Sequence, residues 1–320
     1  MLIITSLGSS PFHDVVISII VLGVSLRKGL ILAHLVIWTS VLTDFLKLSF
    51  SLPRPYQVDA GVSDLERFYT TSGLDAHEAK GSYDFIIKHL AGPYGPYGDV
   101  SYGFPSGHVS ASTTVFGGMS FLFESRAIRA ASIPVIMLVA VSRMYLGRHF
   151  LGDVIGGLVL GTIILFAAAR LLIRPSQDRS LFDQADFRRF NWRTGILFFY
   201  LIAVPFLLLT LNARINPDDA GRLLGINAAL LLVLRKGIPS DSGSFVCRAA
   251  RVILGILLFA VTRVVLGLVI DRAFETESSL LIFLQGAVSS FMLIWATVGI
   301  GSRIGLYKRG SRERTDTLST

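Results

Sequence analysis

The chain has 320 residues, of which 52% are hydrophobic and 16% charged, with a mean hydropathy of +0.61. Soluble proteins carry about a quarter charged residues, so an ordinary soluble domain is excluded; the single cysteine, Cys247, excludes an internal disulfide and a thiolate metal cluster. The net charge of +8 would suit nucleic acid, but the basic residues lie between hydrophobic runs and in the tail, which positive-inside bias explains without such a partner.

The apolar residues fall in runs that approach the roughly 20 residues a membrane helix needs. In chain order they predict nine spans: 11–26, 29–52, 106–123, 128–146, 150–173, 194–212, 220–235, 249–270 and 279–300. The first is short. It is expected to be retained, since the N-terminus lacks the charged start and cleavage site of a secretory signal. The seventh is the weakest, because its apolar core is only Leu223–Leu234 and it needs Arg222 and Arg235 to snorkel outward. A loop at 53–105 and a polar stretch at 174–193 interrupt the series, and no low-complexity segment or clear repeat is present.

Loop charges orient the spans. One set of connections is basic, holding Arg27 and Lys28, Arg126 and Arg129, the 174–193 stretch, the 235–251 connection and the Lys308–Arg314 tail. The other set is acidic, holding Asp59, Asp64, Glu66, Asp75, Glu78, Asp84 and Asp99 in the long loop and the Asp271–Glu277 turn. The basic set is expected in the cytoplasm.

Three blocks of chemistry-bearing residues open onto the acidic side. The first is Lys47-x6-Arg54-Pro55, at the exit of the second span. An ordinary basic flank would explain it elsewhere, but this is the side on which positive-inside bias supplies no reason for cations. Asp44, three residues before Lys47, is a candidate structural partner. The second block, Pro105-Ser106-Gly107-His108, reads as a helix start whose exposed N–H groups suit an anion. His108, one turn in, is placed to protonate a leaving oxygen, although a lone histidine is more often structural. The third is Ser142-Arg143-x5-His149-x3-Asp153. His149 and Asp153 share a helix face, so the carboxylate can hold one imidazole nitrogen and leave the other to attack. A plain helix cap at Asp153 explains that pair equally well. Arg143 offers a planar fork that matches two phosphate oxygens, whereas Arg148 reads as an interfacial snorkelling side chain.

Together the blocks match K-x6-RP, PSGH and SR-x5-H-x3-D at every defining position, and the chain resembles the type 2 phosphatidic acid phosphatase superfamily, which includes vanadium haloperoxidases. The wording from Ser142 to His149 is similar to the bacterial membrane branch. The resemblance spans about residues 1–173. It implies an all-α integral membrane fold with a six-helix catalytic core and a mechanism without metal or other cofactor. It also implies His149 as a nucleophile forming a phosphohistidine, Asp153 as its orienting group and His108 as the acid. Lys47, Arg54, Ser106, Gly107 and Arg143 would hold the phosphoryl oxygens. The expected layout is a phosphatase core at 1–173 with a catalytic loop at 53–105, a cytoplasmic linker at 174–193, about three additional helices within 194–302, and a basic cytoplasmic tail at 303–320.

The expected activity is hydrolysis of a lipid phosphate or diphosphate at a bacterial inner membrane, with the site on the periplasmic or outer face and bilayer lipid as the partner. The sequence leaves the particular lipid and the oligomeric state open. Two alternatives are a polytopic transporter, which favours broken helices in symmetric halves that are not evident here, and a non-catalytic membrane scaffold. Vanadate-dependent haloperoxidation on the same residues does not suit a membrane-embedded chain. Further features have structural readings: Gly152-x3-Gly156 and Gly157-x3-Gly161 as helix-packing stripes; Tyr83, Ile86, Ile87 and Leu90 as an interfacial or covering helix; the Pro93–Gly98 turns as a lid or loop; and Arg263, mid-span, as one half of a pair with Gln285 or a lipid headgroup.

Overall fold

A computed structural model describes residues 1–66, 102–171, 192–211, 214–274 and 278–307. The proposed covering helix at Tyr83–Leu90, the Pro93–Gly98 turns, the 174–193 linker except Trp192 and Arg193, and the tail from 308 lie outside these residues. The described residues are helical and contain no β-strand.

Eleven helical elements follow one another among them. α1 is Leu2–Ser6, and α2 (Ser10–Ser18) continues into a π-helical stretch, Ile19–Val24. α3 is Leu26–Phe50, α4 Pro55–Val58, α5 Gly107–Phe123, α6 Arg126–Tyr145 and α7 Leu151–Leu171. α8 runs Trp192–Phe198, Phe199–Ala203 (π) and Val204–Thr210; α9 is Pro217–Lys236, and α10 Phe245–Ala273. α11 runs Ser279–Phe291, Met292–Ala296 (π) and Thr297–Arg303. Each of the nine predicted spans falls on one of these helices.

Local chemistry sets the helix ends. The hydroxyls of Ser125, Ser244 and Ser278 accept from the N–H groups of Ile128, Cys247 and Leu281, capping α6, α10 and α11. Asn216 does the same for α9, with Pro217 in the first turn. Five helical stretches are long and apolar enough to cross a membrane: Leu26–Val58, Arg126–Tyr145, Leu151–Arg170, Phe245–Ala273 and Ser279–Arg303. Ser10–Val24 and Gly195–Thr210 are shorter apolar helices. Ile133, Met137, Ile155, Ile163, Phe166, Val261 and Val265 stay exposed on the outer faces of α6, α7 and α10, where lipid tails are their natural solvent. The chain is an all-α membrane protein.

α5 is the hub of the half that carries the three blocks. It meets α3 through hydroxyl pairs, Thr39 with Thr114 at 2.9 Å and Thr43 with Ser110 at 3.0 Å, and α6 through Ser120 and Ser132 at 2.8 Å. It lies tight against α7 because Gly157 and Gly161 carry no side chain. A Cβ on Gly157 would sit 2.7 Å from the Ser106 carbonyl, and one on Gly161 2.9 Å from that of Ser110. Gly156 receives the Phe104 ring, but Gly152 faces open space, so the first of the two predicted stripes packs only at its second glycine.

The C-terminal helices pack directly on α2 and α3, sharing an apolar cluster that includes Leu22, Leu30, Leu223 and Phe283. α9 and α11 approach backbone to backbone at Gly221, Gly225 and Gly286. Polar links join α9 to its neighbours: Ser40 to Asp219 at 2.5 Å, His34 to Asn227 at 2.8 Å, and the Asn227 amide to the Leu201 carbonyl at 2.9 Å. Arg222 does not snorkel outward as expected. It turns inward and bridges Asp14 and Asp218, each at 2.8 Å. Arg263, fully buried, donates to Asp218 at 2.7 Å, while the Gln285 amide reaches only the Arg263 backbone carbonyl. A buried charge needs a charged partner more than an amide, and Asp218 supplies it.

The candidate active site

α3 ends at Ser51 in the left-handed conformation, and the chain leaves through Pro53-Arg54-Pro55. Arg54 becomes the N-cap of α4, its N–H donating to Gln57 Oε1 at 2.7 Å. The guanidinium is thereby folded back into the bundle, only 4% exposed, on the side of the half-buried Lys47. The next block is laced between this exit and α7. The Gly103 N–H donates to the Leu52 carbonyl at 2.8 Å, and the Ser106 N–H to the Asp153 carbonyl at 2.9 Å. Ser106 is the N-cap of α5, and Gly107 opens it where a Cβ would lie 3.9 Å from Lys47 Nζ. The Ser106 hydroxyl is fully buried and has no hydrogen-bond partner among the described residues.

The third block turns between α6 and α7. Gly147 takes φ +71°, and a Cβ there would meet the Ser63 carbonyl at 2.5 Å. Only glycine serves both the turn and this close approach. His149 follows, with Nδ1 3.4 Å from Asp153 Oδ2, a charge-pairing distance without hydrogen-bond alignment. The same Asp153 oxygen accepts the Phe150 N–H at 2.9 Å, so Asp153 caps the helix start while the imidazole lies at charge-pairing distance. Nδ1 is the ring nitrogen that faces the carboxylate.

The structure brings all eight nominated residues into one site. His149 lies within electrostatic reach of Arg54, Arg143 and Lys47, and His108 within reach of Arg143, His149 and Lys47. Burial, followed by the charges of Arg54, Arg143, Lys47 and Arg148, pushes the His149 pKa well below 6.5, so its imidazole is neutral at neutral pH.

Glu66 was not singled out from sequence. It clamps Arg143 in bidentate fashion, Nη1 to Oε1 at 2.9 Å and Nη2 to Oε2 at 3.0 Å, and lies 2.9 Å from Arg148 Nε. Burial acts to raise the pKa of this carboxyl, but the Arg143 hydrogen bond and the charges of Arg143 and Arg148 outweigh it and hold it below 4.5. Arg148 also pairs with Asp64 at 2.5 Å, so it belongs to the site's ion cluster and is not a snorkelling side chain. A second Arg143 contact, to Thr5 Oγ1 at 2.7 Å, ties α1 to the site. The available signal was the run of acidic residues facing the basic blocks, but nothing in it distinguished Glu66 from its neighbours. Among the described residues, no three His, Cys, Asp or Glu side chains converge as a metal ion would require.

The comparisons with known proteins agree with this geometry. Residues 28–175 match the PAP2 superfamily. The match takes in all three blocks and the helices that carry them, α3 and α5–α7. The chain is 31% identical over 75 residues to phosphatidylglycerophosphatase B of Bacillus subtilis, covering 21% of this chain and 37% of that protein. It is 35% identical over 79 residues to lipid A 4'-phosphatase of Porphyromonas gingivalis, covering 25% of this chain and 33% of that protein. The chain thus spans about a third of the length of the curated relatives it matches. No solved structure matches it.

Proposed function

We propose that this protein is a membrane phosphatase that hydrolyses a lipid phosphate or diphosphate through a phosphohistidine on His149, with cationic side chains in place of a metal. The observation that carries this reading is the Arg143 fork. It grips a carboxylate with two oxygens, as it would grip a phosphoryl group, beside the neutral His149 and the unpartnered hydroxyl of Ser106. The PAP2 match and the names of the two phosphatase relatives point the same way.

In the first step His149 Nε2 forms a bond to phosphorus as the bond from phosphorus to the leaving oxygen breaks. Asp153, on Nδ1, orients the ring and offsets the charge that develops on it. His108 gives its proton to the departing oxygen. Lys47, Arg54 and Arg143, with the Ser106 hydroxyl and the α5 N-terminus, hold the phosphoryl oxygens as charge builds on them. Water then attacks the phosphohistidine, His108 takes the proton back, and the phosphorus–nitrogen bond breaks to release phosphate. The blocks sit at the ends of apolar helices, which suits a substrate whose tail stays in the bilayer. The proposed orientation puts them on the periplasmic or outer face of a bacterial inner membrane.

The test is phosphate release from a panel of lipid phosphates by purified protein, with EDTA or vanadate added. The expected result is release that survives EDTA and is blocked by vanadate, a mimic of pentacoordinate phosphorus. Activity abolished by EDTA and restored by Mg²⁺ or Zn²⁺ would overturn the mechanism.

A further inference from the structure

A cavity of about 470 Å³ opens from the catalytic blocks toward the C-terminal helices. Lys47, Gly107 and His108 line its catalytic end, whereas His149, Arg143 and Asp153 do not line it. On the reading above, His108 faces the leaving oxygen and His149 the opposite side of phosphorus. The cavity therefore lies on the leaving-group side.

Its polar wall comes largely from outside the catalytic blocks: Asp44 from α3, Asp219 from α9 and His13 from α2. Asp44 lies within electrostatic reach of Lys47 and Asp219 of Arg222, and the two carboxyls also stand close enough to repel each other; among the described residues neither forms an ion pair, and Asp219 has only the Ser40 hydroxyl as a hydrogen-bonded side-chain donor. Asp14 and Asp218 also line the cavity but are neutralised by Arg222 and Arg263. His13 is 1% exposed, yet neither ring nitrogen has a hydrogen-bond partner among the described residues; the Leu7 carbonyl lies nearby without the geometry for one. A buried imidazole with both nitrogens open lacks hydrogen bonds that a ligand can supply. Deeper in, Ile17, Ile226, Ile256 and Phe259 make the wall apolar.

We infer that this cavity is a leaving-group subsite, built by α2, α3 and α9, for a lipid alcohol that carries hydrogen-bond donors (a hydroxyl or an ammonium) close to the scissile oxygen. Two acceptor carboxylates and an open imidazole favour donors there, and the apolar depth takes the start of the tail. This inference rests on the phosphatase reading and adds to it a substrate preference and a task for the C-terminal helices.

The experiment measures kcat/KM with two substrate pairs. One pair is lysophosphatidic acid and its 2-O-methyl ether, which removes a hydroxyl donor. The other is sphingosine 1-phosphate and its N-acetyl derivative, which removes an ammonium. Masking is expected to lower kcat/KM at least about ten-fold in one pair, since a site built to bond a donor rejects the analogue lacking it. The pair that responds identifies the donor. Asp219→Asn and His13→Phe should each shrink that gap to about three-fold or less. Masking that costs the wild-type protein less than about two-fold in both pairs overturns the subsite, whether or not the variants fold, and leaves the phosphatase reading intact. A gap that persists undiminished in both active variants also overturns it. No phosphate release from any of the four substrates overturns this inference, and the phosphatase reading itself falls only if a wider panel of lipid phosphates and diphosphates also releases no phosphate.

Discussion

At the residue scale, the site's principal anion is its own. Glu66 fills the Arg143 fork, so a phosphoryl group must displace it. Glu66→Gln keeps the shape and removes the charge, and inorganic phosphate and vanadate should then inhibit about ten-fold more tightly, the effect of roughly 1.4 kcal/mol; unchanged inhibition constants would contradict the competition. Because the Glu66 pKa is depressed, its charged clamp is fully present above pH 4.5 and is lost only as pH falls through the lower folded value. The competition should therefore be constant between pH 6 and 8. The histidines divide differently. His149→Ala should abolish turnover of every substrate. His108→Ala should slow a lipid phosphate by about a hundred-fold or more, yet slow p-nitrophenyl phosphate far less, because that leaving group departs unprotonated. Equal damage to both substrates would reassign His108. The depressed pKa of His149 makes a spectroscopic prediction as well. Nitrogen NMR of labelled protein at pH 6.5, with His149→Gln as the difference control, should show a neutral ring.

At the element scale, the distance between α5 and α7 decides whether the Ser106 turn and the His149 turn face one phosphoryl group. That distance depends on Gly157, where an added Cβ would fall 2.7 Å from the Ser106 carbonyl. Gly157→Ala must therefore push on backbone at the proposed phosphate-binding turn itself. Activity should drop by about ten- to a hundred-fold, since small misplacements at a reacting centre are costly, while expression in the membrane is retained. Gly152→Ala on the same helix has open space around its Cβ and serves as the control. Loss of activity in both variants alike would point to helix α7 as a whole and not to this contact.

At the scale of the whole molecule, the helices sort their chemistry to opposite ends. The three candidate catalytic blocks meet at one end. At the other, Asp241 accepts the Leu26 N–H and Arg251 binds the Leu306 and Ser242 carbonyls. Cys247 lies at that second end, in the first turn of α10 and partly exposed. On the proposed orientation, which puts the basic connections in the cytoplasm, a membrane-impermeant maleimide should label Cys247 in inverted vesicles and poorly in intact spheroplasts. Strong labelling from outside would reverse the orientation and put the proposed active site in the cytoplasm.

Much of this was legible along the chain. Apolar run lengths located the helices within a few residues, because lipid demands long apolar segments with satisfied backbones. Fixed spacing nominated the eight candidate residues, since Lys47 to Arg54 and His149 to Asp153 are short local geometries within or beside a helix. What only the tertiary structure decided depends on pairs far apart in the chain. Local spacing cannot say that Glu66 would seat in the Arg143 fork, that Arg222 would turn inward to Asp14, or that Arg263 would take Asp218 and not Gln285. Each buried charge has to be matched by whichever opposite charge packing brings near, and that choice exists only once α2, α3, α9, α10 and α11 stand side by side. The cavity that joins His108 to Asp219 is of the same kind: its two walls are over a hundred residues apart in sequence, and only packing sets them face to face.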